Sequence, residues 1–161
     1  MRRPVFFLAS IFGVLFLQII FSNHFNPLRI QPNFLLVAVI FLSFYADFKI
    51  NVAIAFLAGF LKDSFTAGIF GANIFSFLIC AIILDQYKRY IYREDLYLKV
   101  ILVFVITLVN GLLNLVIVIS SISIPFWGSF LFIVLPESFY TTLVAPALFW
   151  IMRKCALKYS I

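Results

Sequence analysis

The sequence predicts an all-α integral membrane protein, a compact bundle of about six transmembrane helices. Of its 161 residues, 65% are hydrophobic and 11% are charged, and the mean hydropathy is +1.17. A soluble domain carries about 25% charged residues, so this chain lacks the polar surface that water requires. A span takes about 20 residues, which makes residues 1–161 one transmembrane domain with no room for a separate soluble one. A conventional enzyme with its own water-filled domain is therefore excluded.

Six apolar blocks divide the chain, and each is interpreted as one span. The first could pass for a signal peptide, but Ser22–Pro27 lacks a small-x-small cleavage site, so the block is predicted to be retained. The second and third blocks flank Asp47 and Lys49, which would cost about 2.5–3.5 kcal/mol each inside a single merged span. A helical hairpin avoids that cost. The predicted spans are approximately 4–22, 33–46, 50–62, 71–85, 99–120 and 127–153.

The basic residues favour six spans with both termini in the cytoplasm. This arrangement places ten of the twelve Lys and Arg residues inside and leaves Arg29 and Lys62 outside. A five-span arrangement with the N-terminus outside scores eight to three and leaves Lys49 in lipid. Because the positive charges lie at segment ends, the net charge of +6 indicates orientation in a membrane, and no nucleic-acid partner is expected.

The sizeable hydrophilic segment of this topology is Asp85–Lys99, with four basic and three acidic residues and four tyrosines. One interpretation is an interfacial linker, since tyrosine and basic side chains favour head-group depth. The other is a docking surface for a cytoplasmic protein. The sequence leaves both open.

The inventory of catalytic side chains is nearly empty. His24 has no acidic neighbour that could orient it as a base. Cys80 and Cys155 have no metal-ligand neighbours, and no GxSxG, HExxH or phosphate-binding loop is present. We expect no enzymatic activity, no cofactor and no metal site.

A glycine-rich elbow joins the third and fourth blocks. Ala55 and Gly59 are four residues apart, a spacing of small residues that lets a second helix approach closely. Gly68 and Gly71 permit a tight return with positive φ. Asp63 has two interpretations: an exposed charge pair with the preceding lysine, or a buried anchor that accepts hydrogen bonds from the backbone of the loop.

Glu137 follows Pro136 inside the sixth block. If the helix begins at Trp127, Pro136 kinks it and Glu137 lies about 15 Å along it. If Pro136 is the first helical residue, Glu137 lies near the outer surface. An ionisable group within a span is a candidate functional residue, and Tyr140 shares its helical face.

The fifth block carries a polar stripe of Thr107, Asn110, Gly111 and Asn114 at three- and four-residue spacing. It could tie helices five and six together, since interhelical polar bonds are worth about 0.6–2 kcal/mol. It could instead line a pocket for a small solute or a partner's transmembrane helix.

Three motifs in order resemble the rod shape-determining protein MreD family. The second span opens Gln31-Pro32-Asn33-Phe34-Leu35-Leu36, similar to that family's Pro-Asp-Leu-Leu. The elbow from Gly59 to Gly71 looks like its Gly/Asp/Gly-rich turn. Leu135-Pro136-Glu137-x-x-Tyr140, followed by Ala145-Pro146, resembles its last helix. The resemblance covers Gln31 to Lys154, and Asn33 stands where the family usually has Asp.

The resemblance implies a non-enzymatic component of the bacterial inner membrane that binds MreC. With MreC it would link the MreB filament to RodA and its penicillin-binding transpeptidase, with membrane lipid around it. The implied helix arrangement is also similar to the substrate-binding subunits of energy-coupling-factor vitamin transporters. In that alternative function, Asn110, Asn114, Glu137 and Tyr140 would form a solute pocket, although the first span lacks an Ala-rich coupling motif.

Overall fold

The computed structural model describes residues 2–24, 31–66, 68–88, 96–121 and 125–158, with side chains described within 7–20, 31–66, 68–88, 97–121 and 125–154. Within these ranges the chain forms six helices in sequence. Five are uninterrupted: α1 (Arg2–His24), α2 (Phe34–Ser43), α3 (Phe48–Phe65), α4 (Ala72–Tyr87) and α5 (Leu96–Ser121). The sixth, α6, joins the segments Phe126–Ser129, Phe130–Val134 and Leu135–Lys158.

Helix α6 begins well before Pro136, and its middle segment, Phe130–Val134, is π-helical. Proline has no backbone N–H, and its ring crowds the carbonyl four residues earlier. The wider π turn lies directly before the proline, with the N–H of Leu135 donating to the carbonyl of Phe130. Glu137 therefore lies inside a continuous helix, as in the first of its two interpretations.

Helix α2 lies at the centre of the bundle. All ten of its residues are buried, and it packs against α1, α3, α4 and α6. A helix that is apolar on all sides is stable only where neighbours surround it. At 1.5 Å per residue it is about 15 Å long, shorter than a membrane's hydrocarbon core of about 30 Å.

Among the described residues, two helical stretches are long and apolar enough to cross a membrane: Tyr97–Ser121 in α5 and Phe126–Lys154 in α6. The apolar stretches of α1, α2 and α4 are shorter. The outward face of α6 is strongly apolar, with Phe132 76% and Leu143 77% exposed. Such a surface suits lipid or a protein partner rather than water.

The expected close approach of a second helix at Gly59 is made by α4. A Cβ built on Gly59 would lie 2.6 Å from the Cα of Ile74, well inside contact distance. Ala55, one turn earlier, is fully buried. Helices α3 and α4 consequently form the most extensive packing in the described bundle, and their connection forms one end of the candidate site.

Candidate functional site

Asp63 is buried at the elbow between α3 and α4. One carboxylate oxygen, Oδ2, accepts hydrogen bonds from the backbone N–H of Gly71 at 3.0 Å and of Ile74 at 3.1 Å. The other, Oδ1, accepts from the backbone N–H of Asn73 at 3.2 Å and from its Nδ2 at 2.8 Å. The carboxylate thus satisfies N–H groups that begin α4 and have no partner within that helix. This is the geometry of the buried-anchor interpretation.

The two loop glycines have different surroundings. Gly71, the residue before α4, has φ = 96°, a conformation that side chains with a Cβ rarely adopt. Gly68 is exposed, and a Cβ on it would meet Thr66 at 4.0 Å, an ordinary contact. Space alone therefore does not require a glycine at position 68, whereas the backbone at Gly71 favours one.

The N-terminus of α2 is finished by side chains from three parts of the chain. Asn33 caps it, its Oδ1 accepting from the N–H of Leu36 at 3.2 Å. The N–H of Leu35 donates to Oε1 of Gln18 on α1 at 3.1 Å, and that of Asn33 donates to Oγ1 of Thr141 on α6 at 3.0 Å. An asparagine before an apolar run is a recognisable cap signal, whereas nothing local in the sequence indicates the partners Gln18 and Thr141.

At the opposite end of α2, Lys88 holds the helix from α4. Its Nζ donates to the carbonyls of Ser43 at 3.2 Å and Ala46 at 2.8 Å, and it pairs with Asp85 at 2.6 Å. Asn51 accepts a hydrogen bond from the Ser43 hydroxyl at 2.6 Å and donates to a carbonyl of α4 at 3.1 Å. From the sequence, Lys88 is one of the basic residues that orient the chain in the membrane. In the structure it also caps the end of α2.

A cavity of about 260 Å³ lies among α3, α4, α5 and α6, next to the elbow. It brings together three polar candidates that the sequence singled out, Asn110, Asn114 and Glu137, with the candidate glycines 68 and 111. Tyr140 is partly buried one turn further along α6 and is not among the described residues that line the cavity. The remaining lining residues are Lys62, Thr66, Gly68, Ile69, Ala72, Asn73, Gly111, Leu115, Val118, Ser129, Ile133 and Val134.

The polar stripe of α5 forms hydrogen bonds within its own helix. Thr107 donates to the carbonyl of Val103 at 2.7 Å, and Asn114 to that of Asn110 at 3.0 Å. Gly111 instead makes the contact with α6, where a Cβ would come within 2.6 Å of Cγ1 of Val134. Close packing at a glycine, rather than amide bonding, therefore joins this part of α5 to α6.

Lys62 and Glu137 bring a basic and an acidic side chain to the cavity. Both are partly buried. Among the described residues, the ion pair is formed by Lys88 and Asp85. Lys62 and Glu137 do not form one, so their charged groups are not in direct contact. The Nζ of Lys62 also lies 5.6 Å from the ring centroid of Phe77.

Other predicted features fall partly outside the described residues. The side chains of His24 and Cys155, and residues 89–95 of the hydrophilic segment, are in this group. Lys99, at the end of that segment, is buried, with its Nζ 5.3 Å from the ring centroid of Phe44. Cys80 is also buried, and its Sγ lies 3.9 Å from the carbonyl of Ile106.

Over the part of the chain that the structure describes, fold and site define a class: an all-helical bundle with two helices long and apolar enough to cross a membrane, whose buried polar side chains mainly cap and tie helices. The family model for rod shape-determining protein MreD matches residues 2–158 of the chain. The chain belongs to the MreD family, a family of shape-determining structural components. The match confirms the resemblance and extends it to the first helix. No curated protein and no solved structure matches the chain.

Proposed function

We propose that this protein is a non-enzymatic component of the bacterial cell-elongation machinery in the inner membrane. It binds MreC and helps couple the MreB filament to peptidoglycan synthesis by RodA and its penicillin-binding transpeptidase. The observation that carries the proposal is the family match over nearly the whole chain. Membership in a family of shape-determining components favours a role in assembly over catalysis.

The use made of the buried polar groups supports a binding role. Asp63, Asn33 and Asn51 are each engaged in hydrogen bonds that fix helix ends or join helices. General acid–base chemistry needs a side chain placed against a reacting group, and these three are committed to the fold. What the bundle presents to its surroundings is an apolar surface, including Phe139 and Leu143 on one face of α6. Helix pairing in lipid depends on close packing of such faces.

The proposal includes six spans with both termini in the cytoplasm. In that arrangement Lys49, Lys88 and Lys154 lie on the cytoplasmic side, as the positive-inside rule favours. A reporter active only in the cytoplasm should work when fused to either terminus. A periplasmic signal from the N-terminus would replace this topology with the five-span alternative.

The function is tested by depletion and by recovery of partners. Loss of the protein from a rod-shaped bacterium should produce rounded cells with intact membranes and no defect in vitamin uptake. Glu137→Ala or Tyr140→Ala should lower co-purification of MreC or RodA more than it lowers the protein's own abundance. Asp47→Ala, which removes an exposed carboxylate outside the cavity, is the matched control for Glu137→Ala. Normal rod shape after complete loss would reject the assignment.

A second candidate function is the substrate-binding subunit of an energy-coupling-factor type vitamin transporter. The cavity with Asn110, Asn114 and Glu137 favours it, because a transport subunit needs a concave site with a few polar groups for its solute. Purification from mildly solubilised membranes separates the two functions. MreC in the eluate supports the cell-shape component, and an ATPase module with a bound vitamin supports the transporter.

A further inference from the structure

The cavity among α3, α4, α5 and α6 contains an acceptor that the protein does not satisfy. Asn110 is 1% exposed and lines the cavity, and its Oδ1 receives no hydrogen bond from the described residues. The nearby side-chain amide of Asn114 donates its hydrogen bond to the backbone carbonyl of Asn110 and not to this Oδ1. Buried side-chain oxygens are nearly always hydrogen-bonded, so this one indicates a missing donor.

The charges at the cavity indicate what kind of donor is missing. Glu137 also brings a carboxyl group to the cavity and forms no ion pair with the described residues. A protonated amine could donate to this carboxyl group, and to Asn110 once its side chain turns the buried Oδ1 toward the ligand. Lys62, on α3, brings a basic group to the same cavity without contacting Glu137 directly. It is therefore available to an anionic oxygen of the same ligand.

The remaining walls are largely apolar, with Ile69, Leu115 and Val118 among them. The volume of about 260 Å³ corresponds to roughly eight or nine water-sized groups at about 30 Å³ each. A phosphoethanolamine group is of this size. Its ammonium and phosphate have the two charges that the cavity complements.

We propose that this cavity binds a small zwitterionic group, with its ammonium at Glu137 and Asn110 and its anionic oxygens at Lys62. The group can come from the head group of phosphatidylethanolamine or from a free zwitterion such as O-phosphoethanolamine. The inference does not depend on the role in cell shape, since it rests on the geometry and charges of the cavity.

The lipid source is tested by native mass spectrometry of the full chain. The protein is released from nanodiscs that hold equal amounts of phosphatidylethanolamine and phosphatidylglycerol with identical acyl chains. We expect about tenfold greater retention of phosphatidylethanolamine, and Glu137→Gln should remove this preference because a charge-assisted hydrogen bond is lost. Asp47→Asn, at an exposed carboxylate at the start of α3, should leave the preference unchanged.

The free source is tested with O-phosphoethanolamine added to the protein in detergent. Saturable heat by titration calorimetry, reduced about tenfold in affinity by Lys62→Met and unchanged by Lys49→Met, supports this source. Lys49 is exposed on α3 and serves as the matched control for loss of a lysine charge. Binding of O-phosphoethanolamine without a lipid preference would assign the cavity to a free zwitterion.

Blocking the cavity by size provides a check that does not alter charge. Val118→Trp fills the cavity, whereas Val116→Trp places the same ring on the exposed face of α5, where Val116 is 59% exposed. Only the first should abolish binding of either probe, at equal thermal stability of the two variants. Equal retention of both lipids together with no response to O-phosphoethanolamine overturns the proposal. So does a lipid preference that survives both Glu137→Gln and Val118→Trp.

Discussion

Replacing Asp63 by Asn changes the elbow by one atom and tests whether its carboxylate anchors α4. Each carboxylate oxygen accepts from two donors: the N–H groups of Gly71 and Ile74 on one side, and two donors of Asn73 on the other. An amide has one oxygen, so an NH₂ group facing Gly71 and Ile74 would satisfy neither N–H. An NH₂ group facing Asn73 can donate to that residue's flipped side-chain amide, which leaves the backbone N–H of Asn73 without an acceptor. One unsatisfied donor gives a loss of about 1–3 kcal/mol.

The assay is thermal unfolding of the full chain in mild detergent, followed by the fraction that remains monodisperse after heating. For a chain of this size 1 kcal/mol lowers the midpoint by about 2–4 °C, so Asp63→Asn should lower it by at least about 2 °C. Asp47→Asn is the matched control, because Asp47 is exposed and its side chain makes no capping hydrogen bond to α3. Equal unfolding midpoints for the two variants would refute the interpretation of Asp63 as a buried anchor. The interpretation as an exposed charge pair with Lys62 would then stand.

Three further predictions use the same thermal assay. Gly59→Ala should cost about 1–3 kcal/mol, because its Cβ would overlap the backbone of α4; a wild-type midpoint would contradict the close approach. Gly71→Ala should cost about 1–2 kcal/mol at its left-handed backbone, whereas Gly68→Ala should change little; equal effects would show that the two backbones are alike. Lys88→Met should cost about 2 kcal/mol by freeing the carbonyls that end α2, and no loss would make that contact incidental.

The position of the elbow could be predicted from the sequence because its determinants are local, although the sequence left both interpretations of Asp63 open. Asp63 and Gly71 are eight residues apart, and a carboxylate before a glycine turn has few other donors within reach. The spacing of Ala55 and Gly59 likewise indicated close packing. Neither observation identified the partner helix as α4. That choice depends on the short connection between α3 and α4 and on the complementary backbone at Ile74.

The long-range contacts at the ends of α2 could not be predicted, because they depend on how distant segments meet. Lys88 looked like an orienting charge, which is the usual role of a basic residue at a segment end. Its contacts with Ser43 and Ala46 arise only once α4 has folded back along α2. The polar stripe of α5 was informative in a different way. It located Asn110 at the cavity, but its spacing could not distinguish interhelical bonds from the observed bonds within the helix.

The hydrogen bond from Asn33 to Thr141 joins residues 108 positions apart, and it has a consequence for biosynthesis. Translation releases the innermost helix, α2, long before the ribosome reaches the residue that accepts the N–H of Asn33. A nascent chain with only its first five helices therefore holds that donor without its final acceptor, in surroundings where water is scarce. When α6 arrives, Thr141 completes the hydrogen bonds at the first turn of α2. The centre of this bundle is therefore among the last parts of the fold to be finished.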